Sequence, residues 1–190
     1  MAVEIQLFGE LSVVRDGTLV ELPASRKTRA LLAYLAATGR PVLREKLCAL
    51  LWESPEDPRA ALRWSLTKLR PVLDEPTSTH LVADRDHVQL IDVAVDLARL
   101  RAAIPTPGAA AKVSTDVLRA IAPLVRGELL EGLDLPECSR FVEWCRAERD
   151  LARRLGAAVL ATLVERLAQS DEDGRYEAIE YERAWRALTQ

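Results

Sequence analysis

Residues 58–73 read PRAALRWSLTKLRPVL, and their spacing decides what the neighbouring segments must build. At about 100° per residue, Leu62, Leu66, Leu69 and Leu73 fall within about 60° of one another and form the buried side of a helix. Arg63, Trp64, Thr67 and Lys68 then point outward, with Arg59 and Arg70 nearer the core edge, and the stretch carries no acid. Asp57-Pro58 starts the helix, a capping side chain followed by proline where the missing N–H costs nothing. Pro71 disfavours helix at the residue before it, so the helix ends near Arg70 or continues, kinked, through Leu73. A DNA duplex presents one negative charge per ~1.7 Å and its major groove admits one helix, which an acid-free basic face suits. Arg63 fits a guanine edge, Thr67 a base edge or thymine methyl, and Lys68 or Arg70 a phosphate. Trp64 fits a sugar, a phosphate or a protein partner.

Working outward, the segments on either side have the order expected around such a helix. Val3, Ile5 and Leu7 alternate with polar neighbours, Leu11–Val14 follows, and Asp16-Gly17 marks a hairpin before Leu19–Leu22. A first helix spans 28–37, with Ser25 as N-cap and Gly39 just past its end. A second runs from about Leu43 to Trp52, and Ser54-Pro55-Glu56 makes a turn. His80–Ile91 alternates around Asp84-Arg85-Asp86 as a hairpin. Sheet, three helices and a closing hairpin is the order of a winged helix. From Val93 the character becomes helical: 95–103, then a loose loop over 105–111, 116–125, a long helix over 139–169 with an apolar stripe, a break at 170–174 and a last helix over 176–188. The stripe is Phe141, Trp144, Leu151, Leu155, Val159, Leu163 and Leu167, interrupted at Glu148.

The chain has 190 residues, 49% hydrophobic and 29% charged, enough to bury a core in one domain or two; two is the working number, 1–95 and 96–190. No uncharged run approaches the ~20 residues that cross a bilayer, and Glu4 interrupts the first apolar run, so a cytoplasmic protein without membrane attachment is expected. Cys48, Cys138 and Cys145 are odd in number and read as reduced thiols; with His80 and His87 far from them in sequence, no metal site is expected. No phosphate-binding glycine loop or nucleophile turn occurs, so no enzyme, catalytic residue or cofactor is expected. The pI near 5.6 argues against bulk attraction to DNA. Any affinity must come from a local patch. Arg26, Lys27 and Arg29, Arg40, Arg44 and Lys46, the basic residues of 58–73 and Arg85 are its candidates.

The runs IQLFGELSVVRDG (5–17), SRKTRALLAYLAATGRPVLREKLCALLW (25–52) and PRAALRWSLTKLR (58–70) resemble the winged-helix domain of SARP-class bacterial transcriptional activators, relatives of OmpR-type DNA-binding domains. LVRGELLEGLDLPECSRFVEWCRAERDLARRL (124–155) and GRYEAIEYERAWRAL (174–188) resemble the bacterial transcriptional activation domain that follows it. The resemblance implies an α+β architecture, mainly helical with small sheets: an N-terminal winged helix-turn-helix and a C-terminal tetratricopeptide-like domain, here cut short. It implies that residues 58–73 are the recognition helix, with Arg63 and Arg70 at family-typical arginines, and that the hairpin at Arg85 is the wing. It also implies binding to promoter direct repeats in double-stranded DNA, contact with RNA polymerase and side-by-side protomers, with a homodimer as one form. The candidate DNA-binding residues are therefore Arg44, Lys46, Arg59, Arg63, Trp64, Thr67, Lys68, Arg70 and Arg85. The rival reading is a protein-interaction adaptor whose winged helix does not bind DNA. Where the family commonly has glycine in the wing turn, this chain has Asp84-Arg85-Asp86.

Overall fold

Alternation at the amino end builds strands β1 (Val3–Gln6), β2 (Ser12–Arg15) and β3 (Thr18–Val20), with Val3, Ile5 and Val13 facing the core. The computed structural model describes residues 2–53 and 57–189, so the turn expected at Ser54-Pro55-Glu56 lies outside the described residues. Asp16 and Gly17 both take left-handed backbone, φ 48° and 81°, which matches the right-handed twist of the strands they join. Helix α1 (Arg26–Thr38) begins where Ser25 Oγ accepts from Thr28 N and ends at Gly39, φ 61°. A two-residue strand β4 (Val42–Leu43) leads into α2 (Arg44–Leu51), and α3 spans Pro58–Leu73. Pro71 sits within the last turn of α3, so the continuation through Leu73 is the form adopted.

The wing has three strands: β5 (Leu81–Ala83) and β6 (His87–Leu90) pair antiparallel, and β4 pairs with β6 on the other side. A further strand, β7 (Val93–Val95), runs parallel to β1 and completes a sheet of order β3-β2-β1-β7. Sequence reading opened a helix at Val95. Three residues of V-A-V are too short to show a period, and only the empty edge of β1 makes them a strand.

After β7 the chain is helical: α4 (Asp96–Ala103), a 3-10 segment Pro107–Lys112, α5 (Thr115–Ile121), a 3-10 turn Ala122–Leu124, α6 (Ser139–Ala168) and α7 (Glu172–Thr189). The fold is thus α+β, a winged helix followed by a helical region. Helix α6 is 30 residues long, about 45 Å. Its expected stripe is buried at Phe141, Leu155, Val159, Leu163 and Leu167, while Trp144 and Leu151 are half-buried and Cys145 and Ala152 take the deeper positions. Glu148, the interruption, pairs with Arg101 of α4. Gly174 does not break the chain's helicity: it lies in the first turn of α7, where Asp171 Oδ1 accepts its N–H at 3.0 Å.

One apolar core runs through both halves. Its polar fastener is Asp96, which is 6% exposed and accepts from Leu7 N, Phe8 N and Leu97 N at 2.7–3.1 Å. Arg126 neutralises it at 3.3 Å. Tyr34 of α1 packs on Trp144 of α6, ring centroids 4.8 Å apart. Among the described residues no helix is long and apolar enough to cross a membrane.

Candidate nucleic-acid interface

Helix α3 is held from behind so that its front is free. Leu62, Leu66, Leu69 and Leu73 are buried, and Ser65 meets Thr28 of α1 through a buried hydroxyl pair at 3.1 Å. Asp57 Oδ1 caps the first turn from Ala60 N at 2.8 Å. Arg63, Trp64, Thr67 and Lys68 are exposed, as the face count requires. Arg59 is more exposed than the wheel places it, 70% of its side chain, because its long stem carries the guanidinium outward to Glu45.

The wing turn is fastened to the start of α2. Arg44 N donates to Asp86 O and Arg44 Nε to Asp84 O, both at 2.8 Å. Asp84 Oδ1 accepts from Asp86 N and His87 N at 2.7 and 2.6 Å, a side-chain-closed turn that needs no left-handed residue. The carboxylate of Asp84 closes the turn in place of the glycine expected from the resemblance. Those two backbone donors hold the Asp84 carboxyl below the usual aspartate range. Sequence reading singled out Arg85 here and missed Asp84; an Asp two and three residues before backbone donors is the signal that marks such turns.

This arrangement brings Arg44, Arg59, Arg63 and Arg85 around one cleft of about 360 Å³, closed by Leu43, Glu45 and Asp86. Beside it Lys68 Nζ lies 5.5 Å from the centroid of the Trp64 ring, whose residue is 53% exposed. That cation–π contact explains how a large indole is kept at the surface. Thr67 Oγ1 donates to Arg63 O at 3.0 Å, so its hydroxyl keeps acceptor capacity. Lys46 is exposed on α2 outside the cleft. Arg70 is used structurally, bonded to Asp74 at 3.1 Å and to Leu81 O at 3.3 Å, which ties α3 to β5.

Three residues of the expected patch lie elsewhere. Arg26 donates to Gly132 O and Arg29 to Pro23 O, while Lys27 lies by Cys138, so the start of α1 faces the loop before α6. Burial raises the thiol pKa values of Cys48, Cys138 and Cys145, all free, above the ordinary range, which keeps them protonated. Glu45 in the cleft pairs with Arg59 at 3.2 Å, and Asp57 outside it pairs with Arg63 at 3.8 Å, all four side chains at least 60% exposed. Such pairs are worth ~0–1 kcal/mol, so a phosphate displaces them cheaply.

No protein-family model matches the chain, and no curated protein matches it. Among solved structures, the chain is similar to Mycobacterium tuberculosis EmbR in complex with a low-affinity phosphopeptide: 25% identity, TM-score 0.61, with 98% of this chain and 53% of that one covered. The chain spans about half the length of EmbR.

Proposed function

We propose that this chain is a sequence-specific DNA-binding transcriptional activator of the SARP type, working on double-stranded DNA in the cytoplasm. The observation that carries this reading is the cleft itself: Arg63 on an acid-free helix, Arg44 at the start of α2 and Arg85 at the wing turn converge on one space. The likeness to EmbR, a SARP-family regulator, supports it. Helix α3 enters the major groove, with Arg63 and Thr67 facing base edges and Arg44, Lys46, Arg59, Lys68 and Arg85 along the phosphates. Arg70 contributes at the margin from its place against the wing, and Trp64 packs on the sugar backbone. Residues 1–95 form the DNA-binding domain. Residues 96–190 form a tetratricopeptide-like activation domain that contacts RNA polymerase or a second protomer on promoter direct repeats.

The test is fluorescence anisotropy on a duplex from the gene's own upstream region and on a scrambled duplex, across a salt series. Arg63→Ala is expected to cost ~1–3 kcal/mol on the cognate duplex only, and Lys68→Ala to weaken both duplexes alike with a shallower salt slope. Equal losses on both duplexes for both variants would remove base reading from α3. No binding by the unsubstituted chain to either duplex at low salt would favour the adaptor reading, in which Trp64 meets a protein.

A further inference from the structure

A cavity of about 890 Å³ lies where the winged helix and the helical region meet, away from the arginine cleft. That volume is within the ~300–1,000 Å³ of small-molecule sites. Its apolar lining comes from four places in the chain: Phe8 just after β1, Leu129 and Leu133 in the loop before α6, Phe141 on α6 and Leu188 on α7. The loop wall is held by main-chain bonds: Leu130 N to Leu7 O at 2.7 Å, Gly9 N to Glu128 O and Glu131 N to Gly9 O at 2.9 Å. Arg149 braces the same loop, donating to Leu129 O at 2.9 Å and Leu130 O at 2.7 Å. Such a wall is preformed and needs no closure to take a ligand.

The rim is charged. Arg126, Arg146, Arg149 and Arg153 line it against Glu128, Asp134 and Asp150. Three of these arginines are committed: Arg126 to Asp96, Arg149 to Asp134 and the loop carbonyls, Arg153 to Asp150. Arg146 has no hydrogen-bond or ion-pair partner among the described residues, and it sits on α6 one turn after Val142, which lines the same cavity.

We propose that this cavity binds a small amphipathic monoanion, a carboxylate or sulfonate on an apolar body, with Arg146 holding the anionic group over the apolar floor. Arg146 chooses the class: the other three rim arginines face carboxylates within ion-pair distance, and an anion gains from Arg146 a charge-assisted hydrogen bond that a neutral or cationic body lacks. The occupant touches both halves, because Phe8 belongs to the winged helix and Phe141 and Leu188 to the helical region. The site uses neither α3 nor the wing, so it stands or falls independently of the DNA reading.

The probe is anilinonaphthalene sulfonate, titrated into the full chain at neutral pH, followed by displacement with decanoate or decanol. One equivalent is expected to bind, with Arg146→Gln weakening it roughly tenfold, the loss of one charge-assisted hydrogen bond. Val142→Trp, which puts an indole into the cavity, is expected to abolish binding, and decanoate to displace the dye well ahead of decanol. Thermal melting of each variant is compared with the unsubstituted chain, and the exposed Arg146→Gln decides the matter if Val142→Trp does not fold. Unchanged dye affinity in Arg146→Gln, several weak equivalents, or equal displacement by decanol and decanoate would overturn the proposal.

Discussion

On α3, Arg59 and Arg63 keep 70% and 63% of their side chains exposed and meet only carboxylates that are themselves in water. At the junction of the two halves, Arg101 and Arg149 expose 27% and 21% and donate to main-chain carbonyls, Ala37 O in one case and Leu129 O and Leu130 O in the other. The same residue type is therefore bound in one region and available in the other. A main-chain carbonyl inside the fold cannot turn to water when its donor leaves, whereas Glu45 and Asp57 are solvated with or without their arginines. The difference separates arginines that hold the molecule together from those a polyanion can recruit.

The strongest way to break that comparison is at the junction. Asp96→Ala removes the acceptor of three backbone N–H groups and leaves Arg126 without its counter-charge, and is expected to cost about 3–5 kcal/mol. Arg63→Ala is expected to stay within ~0.5 kcal/mol of the unsubstituted chain. Urea unfolding of the two variants checks both. Similar losses for Asp96→Ala and Arg63→Ala would erase the distinction between the regions.

A smaller, local effect sits at the wing. The Asp84 carboxyl is depressed by its two backbone donors, so its contribution to the turn is present above the ordinary aspartate range and is lost as pH falls through its lower folded value. The side-chain carboxyl carbon of Asp84, followed by NMR, is expected to titrate below the unperturbed value of 3.8. Asp84→Ala is expected to raise backbone mobility at 84–87 and leave α3 unchanged. An ordinary midpoint would mean that Arg44, not Asp84, shapes the wing.

Much of this was legible because short-range chemistry specifies it. The caps at Ser25 and Asp57, the left-handed pair Asp16-Gly17 and the four-leucine face of α3 are each written within a few residues. The exposed residues of α3, Arg63, Trp64, Thr67 and Lys68, followed from that one face. What could not be read depends on partners distant in sequence. β7 exists because β1 offers it an edge some ninety residues away, and β4 because β6 does. The placement of Arg26 away from the cleft depends on Gly132, which no local pattern indicates. Gly174 misled for the opposite reason: glycine usually ends helices, but here Asp171 caps a new one over it.

The smallest effect sharpens the comparison most, because it reverses sign between the regions. Glu45→Gln removes the partner of Arg59 and one negative charge from the rim of the cleft. If the cleft faces phosphates, every duplex is expected to bind about twofold tighter at low salt, roughly the value of one exposed ion pair, and the gain is expected to fade as salt screens it. Glu148→Gln, which removes the partner of Arg101 at the junction, is expected to do the reverse: measurable loss of stability in urea and no change on DNA. Anisotropy and urea titration on both variants check the pair. A Glu45→Gln protein that binds no tighter would place the phosphates away from Arg59, and leave Arg44, Arg63 and Arg85 as the working edge of the cleft.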